Sequence, residues 1–396
     1  MREQRDVPVG AGPMLLDADA SPTVSPSVSP AESPAARPAG ADASAEAAGS
    51  ADGPTVSAPT LEDVARVAGV SRATVSRVVN GKRRVAPAIQ EVVRAALAET
   101  GYVPNLAARS LVTRRTGTVA VVISGAEAGG KGGEIDFADP FFGRVMGGVV
   151  RALRPRDVDP LVMIAETDAD RARVLSALRN GNADGALLVS THADDPLPAL
   201  LVENGLPAVM FARPASRLPI SFVDVANRDG AALAAEHLVA RGCTRVAAIS
   251  GPLDVPAAQD RLDGFRDAMA RLGHPFVRYA EGNFTFESGR SAMDQLLAGG
   301  PVDAVFASND LMAMGAVESL YRHGLAVPDV RVIGFDDSQL GAASRPSLTS
   351  VRQPIEEMAG EMARILLDVV LDASLDPDRR LTSVIFTPSL VVRDSA

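Results

Sequence analysis

The chain has 396 residues, 46% hydrophobic and 22% charged, as suits a soluble protein of two or three domains. One cysteine, Cys243, and four scattered histidines argue against a disulfide scaffold and against a cysteine- or histidine-based metal cluster. The formal net charge is −10, yet residues 60–115 carry ten basic and four acidic side chains, so a short basic module lies between acidic segments.

Residues 1–59 are almost entirely Ser, Pro, Ala, Gly and acids, with nothing to bury, and read as a disordered acidic tail. No apolar run reaches the ~18 residues of a membrane span, and the opening MREQRDVPVG has no apolar leader, so a cytoplasmic product without a membrane partner is expected.

Residues 60–103 predict three helices. Thr60 suits an N-cap for LEDVARVA, with Asp63 as an imperfect capping-box partner. Gly69 ends that helix, Ser71 caps SRATVSRVVN, and Asn80-Gly81 supplies a second stop. A third helix, APAIQEVVRAALAET, presents Ile89, Val92, Val93, Ala96 and Leu97 along one face and ends at Gly101. Ala65 is small where two helices must approach, Gly69 sits where a positive φ is needed, and Val64, Val75 and Val78 are spaced to meet. These constraints coincide over some twenty residues and specify a helix-turn-helix whose second helix faces outward with polar side chains.

Residues 104–116 (hinge helix and linker) are too short and polar for an independent helix, though Ala107, Ala108 and Leu111 make a face that a second copy could cover. From residue 117 to 396, short apolar runs (TVAVVIS, LVMIAE, GALLVS, AVMFA, FVDVA, RVAAISG, AVFASND, RVIGFDD) alternate with helical patterns. Such alternation implies an α/β core with parallel sheets, and its length suits two doubly wound lobes with a cleft between them. The lobes are expected at about 117–241 with 352–379, and at about 242–351 with 380–394.

TLEDVARVAGVSRATVSRVVNG, followed by YVPNLAARSLVTRRTGTVAVVI, resembles the LacI/GalR family of transcription regulators, and the likeness runs from Thr60 to about Arg393. It implies an all-α DNA-binding domain before a periplasmic-binding-protein-like core, a homodimer (with a tetramer possible), a palindromic double-stranded operator and a small-molecule effector. By that resemblance Thr60, Ser71, Arg72, Ala73, Thr74, Ser76, Arg77 and Asn80 form the DNA surface, with Arg72 and Ala73 varying with operator sequence. Arg72 can offer a fork to guanine O6 and N7, and Ala73 only an apolar contact. The family's hinge folds on DNA and inserts a leucine into the minor groove; the matching residue is Leu111, flanked by Asn105, Ala108 and Arg109. A hydroxyl residue commonly caps the family's third helix, where this chain has Ala86 before Pro87.

Ligands of open α/β sheets meet the loops after strands, and a sugar needs planar hydrogen-bonding groups and aromatic faces. Asp139, Phe142, Arg261, Phe284, Asn309, Asp336 and Gln353 occupy suitable positions, with Asn227 a weaker candidate. Asp310 reads as the cap of the helix after FASND, Cys243 as a packed apolar residue and His237 as structural. GPLDVPAAQDRLDGFRDAM is similar to actinobacterial sugar-utilisation repressors, so a sugar or sugar derivative is the expected effector and a purine or nucleoside the alternative. A secreted solute receptor would need a leader and no DNA head. An enzyme would need an acid–base pair or a motif such as G-x-S-x-G or H-E-x-x-H, and the sequence has neither motif. Asp336 and Asp337 are adjacent in a strand and should face opposite ways. No catalytic residue, metal or cofactor is expected.

Overall fold

The computed structural model describes residues 59–79, 85–102, 115–124, 139–190, 192–371 and 381–396. The acidic tail, Asn80 and the hinge, with Asn105, Ala108, Arg109 and Leu111, lie outside the described residues.

The head comprises α1 (Leu61–Ala68), α2 (Arg72–Val79) and α3 (Pro87–Thr100). Thr60 and Asp63 form a complete capping box, closer to ideal than the sequence suggested, because the short Asp63 side chain still reaches the Thr60 backbone N–H at 2.9 Å. Gly69 takes φ +63°, which closes the turn into α2. Val64, Val75 and Val93 are fully buried with Ala65, Ala68 and Ala96 around them, and Val78 packs at the edge. The expected face of α3 is narrower than predicted: Ile89 and Val92 are 37% and 49% exposed, since two short partners cover only the Val93–Ala96–Leu97 stripe.

The remaining residues build two six-stranded sheets. The first contains β1 (Thr118–Ser124), β2 (Asp159–Ala165), β3 (Ala186–Ser190), β4 (Ala208–Phe211), β5 (Ser221–Val225) and β11 (Ser383–Phe386), in the order β11-β5-β4-β3-β1-β2 and parallel throughout. The second contains β6 (Val246–Ser250), β7 (Arg278–Glu281), β8 (Ala304–Ala307), β9 (Arg331–Phe335), β10 (Thr349–Arg352) and β12 (Ser389–Val391), in the order β12-β10-β9-β8-β6-β7. Only the β10–β12 pair in it is antiparallel. Central strands such as β1 and β6 are buried on both faces, as strands sandwiched between helix layers must be.

The helices of the core are α4 (Pro140–Leu153), α5 (Asp168–Arg179), α6 (Leu197–Glu203), α7 (Asn227–Ala240), α8 (Pro256–Arg271), α9 (Phe286–Ala298), α10 (Asp310–Arg322), α11 (Gln339–Ala343) and α12 (Ile355–Leu371). The chain passes between lobes three times, at 225–227, 352–355 and 386–389. Two expected boundaries therefore move. α7 joins the second lobe, because Ala231, Ala234, Ala235 and Leu238 share a core with Phe265, Phe306 and Phe335. Residues 383–386 return to the first lobe, where β11 pairs with β5. α12 packs on the first lobe against α4 at Gly148, where a Cβ would stand 2.4 Å from the Glu356 carbonyl oxygen. Among the described residues no helix is long and apolar enough to cross a membrane, and no group of His, Cys, Asp or Glu is placed to hold a metal ion.

Candidate functional site

Two places carry the residues singled out in the sequence. On the head, Arg72, Ala73 and Arg77 are exposed along α2, the helix whose N-terminal end a helix-turn-helix directs at base edges. Arg72 Nε lies 3.0 Å from Glu62 Oε1 of α1, so its guanidinium already has an anionic partner. The Ser71 and Thr74 hydroxyls are 2.9 Å apart, and the Thr74 N–H donates to Ser71 Oγ, so this pair caps α2. Ser76 is half-buried. The Thr60 hydroxyl and N–H both donate to Asp63 Oδ2, which assigns Thr60 to the cap of α1.

The second place is the cleft between the two sheets, at strand ends. Asp139, Pro140, Phe141, Arg144, Asn309, Asp310, Leu311, Asp336, Ser338 and Ile355 line one cavity. Asp139 is the N-cap of α4 and accepts from the Phe141 N–H at 2.9 Å. Asn309, not Asp310, is the N-cap of α10: its Oδ1 accepts from the Met312 N–H while its Nδ2 donates to the Phe284 carbonyl. That contact ties Asn309 to a residue held at φ +66°, whose ring lies over Gly251. Phe284 thus borders the site through Asn309, whereas the Phe142 ring packs edge-on to Phe141 and against the first lobe's core.

Behind the cavity lies a buried polar network. Arg261 Nε donates to Asn227 Oδ1, Nη2 to Gln353 Oε1 and Nη1 to the Ser308 carbonyl, at 2.8, 2.8 and 2.6 Å. Its guanidinium carbon sits 3.7 Å from the centre of the Phe335 ring, and Nη1 is 3.5 Å from Asp336 Oδ1. Four predicted residues, Asn227, Arg261, Asp336 and Gln353, therefore meet. Burial lowers the Arg261 pKa, and the carboxylates of Asp336, Asp224 and Asp310 oppose that. Burial raises the Asp336 carboxyl, with Arg261 and Arg144 pulling it down.

Asp310, expected to be a cap, is instead a buried hub. Its Oδ2 accepts from the Ser338 N–H and its Oδ1 from the Ser350 hydroxyl, both at 2.6 Å. Burial first and the Asp336 charge second push its carboxyl up to about 7. Asp336 and Asp337 lie just beyond β9, both at positive φ, so strand alternation does not apply to them; they still take different partners, Asp337 being held by Arg352 and Arg393.

Arg144 is a charged cleft residue that sequence reasoning missed, along with Ser338. The signal was a lone cation in the first turns of α4, PFFGRVMGGV, where a helix N-terminus disfavours positive charge. Its Nε and Nη2 form a two-pronged ion pair with Glu356 at 2.8 Å each, and its Nη1 donates to the Asp336 carbonyl at 2.7 Å. Cys243 is buried in the second lobe's core, and burial raises its thiol pKa.

Comparison with known proteins agrees with this layout. Residues 60–105 match the family "Bacterial regulatory proteins, lacI family", and residues 235–396 match a periplasmic binding protein-like domain. The chain is 42% identical to the HTH-type transcriptional regulator CelR of Thermobifida fusca over 343 residues, 85% of this chain and 98% of that protein. It is 36% identical to the ribose operon repressor of Escherichia coli K12 over 344 residues, again 85% of this chain, and 99% of that protein. Among solved structures, a CelR–cellobiose complex superposes with a TM-score of 0.64 at 40% identity, over 85% of this chain and all of that one. The lac repressor dimer bound to operator and the anti-inducer ONPF gives a TM-score of 0.72 at 26% identity, over 86% of this chain and 99% of that one.

Proposed function

The chain belongs to the lacI family of bacterial regulatory proteins, and from that premise we propose that it is a homodimeric repressor releasing a palindromic operator when a neutral sugar fills its cleft. DNA binding falls to the head, where Arg72 and Ala73 choose bases and Ser71, Thr74, Ser76 and Arg77 complete the surface. In this reading Asn80, Asn105, Ala108 and Arg109 extend the contacts and Leu111 wedges the minor groove.

The observation that carries the effector reading is the charge balance of the cleft wall. Asp139, Asp310, Asp336 and Arg144 line it, while Arg144 and the buried Arg261 behind it are engaged by Glu356, Asn227, Gln353 and main-chain carbonyls. A phosphate or carboxylate ligand would meet three aspartates and no uncommitted guanidinium fork. A ligand rich in hydroxyl donors suits such a wall. A relative that is 40% identical was solved with cellobiose, which supports testing a neutral disaccharide first. The reading is of binding without turnover, since Asp336 and Asp337 serve different partners and make no acid–base pair.

Selecting bound DNA from a random pool, with and without cellobiose, ribose, glucose 6-phosphate and hypoxanthine, tests the whole reading. A palindromic site lost on adding a neutral sugar is the expected result. Failure to retain any duplex at low ionic strength overturns the DNA reading, and release by the purine or the sugar phosphate overturns the effector reading.

A further inference from the structure

Asp336 follows the last buried residue of β9 and holds φ +100°, a strained conformation for a non-glycine residue that persists only when its surroundings impose it. Two main-chain contacts fix it. Its N–H donates to the Val351 carbonyl at 2.8 Å, and its own carbonyl accepts from Arg144 Nη1 at 2.7 Å. The first contact lies within the second sheet. The second comes from the other lobe, because Arg144 belongs to α4 and is gripped by Glu356 of α12. Gly148, one turn beyond Arg144 on the same face of α4, lets the Glu356 backbone come close enough for that grip. Arg144 also donates at 3.3 Å to the carbonyl of Gln353, whose side chain holds Arg261.

We propose that Arg144 is a positioning residue for the effector site: anchored by Glu356, it clamps the Asp336 backbone from the opposite lobe and so aims the Asp336 carboxylate into the cleft. The inference rests on the reading above, that Asp336 touches the effector. Its consequence is that sugar affinity depends on an ion pair of the first lobe that need not itself meet the ligand. The Arg144–Asp336 contact spans the lobes, so it is made only at lobe angles that bring α4 within reach of the end of β9.

The test is calorimetric titration of the full-length protein with cellobiose, or with whichever sugar releases the operator. Arg144→Met is expected to weaken binding by about tenfold or more, and Glu356→Gln, which loosens the anchor, by about threefold. The decisive measurement is a double-mutant cycle with Asp336→Asn. If Arg144 acts through Asp336, Arg144→Met in the Asp336→Asn background costs less than about threefold further. Wild-type affinity in Arg144→Met, or losses that multiply fully in the double variant, overturns the proposal, the latter by making Arg144 an independent contact. If Arg144→Met does not fold by circular dichroism, the same cycle is read with Glu356→Gln, where full multiplication again overturns it. A wild-type protein that binds no sugar sinks the effector reading itself, a separate result from a wild type that binds while the cycle is additive.

Discussion

In the proposed reading Arg72 chooses a base, and the structure gives it a competitor. Glu62 holds its Nε at 3.0 Å, but both partners are more than half exposed, so the pair is weak enough for guanine to share or displace. Arg72→Ala is therefore expected to relax one symmetric position of the operator, by about 1–3 kcal/mol of discrimination, with little change elsewhere. Base frequencies recovered from DNA selection check it, and an unchanged pattern contradicts the assignment. Asp310 carries a prediction of a different kind. Its folded-state pKa of about 7 lies above that of an unfolded aspartate, so its contribution to stability is full below the ordinary carboxylate range. It is then lost as pH rises through about 7. Wild-type stability should fall between those limits relative to Asp310→Asn, read as melting temperature against pH. Equal slopes for the two proteins contradict the buried-hub reading. Strand-end positions pointed to Asp139, Asn309 and Asp336 in the sequence. The division of labour between Asn309 and Asp310 was not legible, because adjacent residues of the same capping class differ only in which neighbours the fold brings to them.

Elements were readable wherever their own hydrophobic pattern decided them. β1, β3, β6, β8 and β9 are central strands, and their apolar runs stand out from the sequence. β7 (RYAE), β10 (TSVR), β11 and β12 do not. β7, β11 and β12 are edge strands with exposed side chains, while β10 buries Thr349 and Ser350 by hydrogen bonds to Ser395 and Asp310 rather than by apolar character. Nor could periodicity show that α7 follows a first-lobe strand yet packs on the second lobe, since its apolar stripe fits either sheet. At the head, Ala86 leaves the start of α3 without a side-chain cap, although Pro87 sets the first turn and Gln90 Nε2 reaches the Val85 carbonyl at 2.8 Å. Ala86→Ser is expected to stabilise α3 by about 0.5–2 kcal/mol. Slower amide exchange confined to the first turns of that helix would show it, and exchange unchanged there would count against a missing cap.

At the scale of the whole molecule, the chain carries −10 overall while its head region is basic, so attraction to a duplex is local and steeply screened. Each phosphate neutralised on B-DNA contributes about 0.9 to the slope of log affinity against log salt. A homodimer placing two heads on a palindrome neutralises twice the phosphates that one head does on a half-site. Its slope between ~50 and ~200 mM salt should therefore be about double. Sugar acts on that coupling only so far as it binds the two lobe arrangements unequally. Three chain crossings and the Arg144–Asp336 contact tie lobe angle to cleft geometry, so an occupied cleft is expected to uncouple the heads. With saturating sugar the palindrome's slope should fall towards the half-site value, because one head at a time then holds DNA. Anisotropy titrations of both duplexes across that salt range, with and without sugar, separate the cases. If sugar lowers affinity while the doubled slope persists, both heads stay engaged, and release must come from a change within each head rather than from their separation.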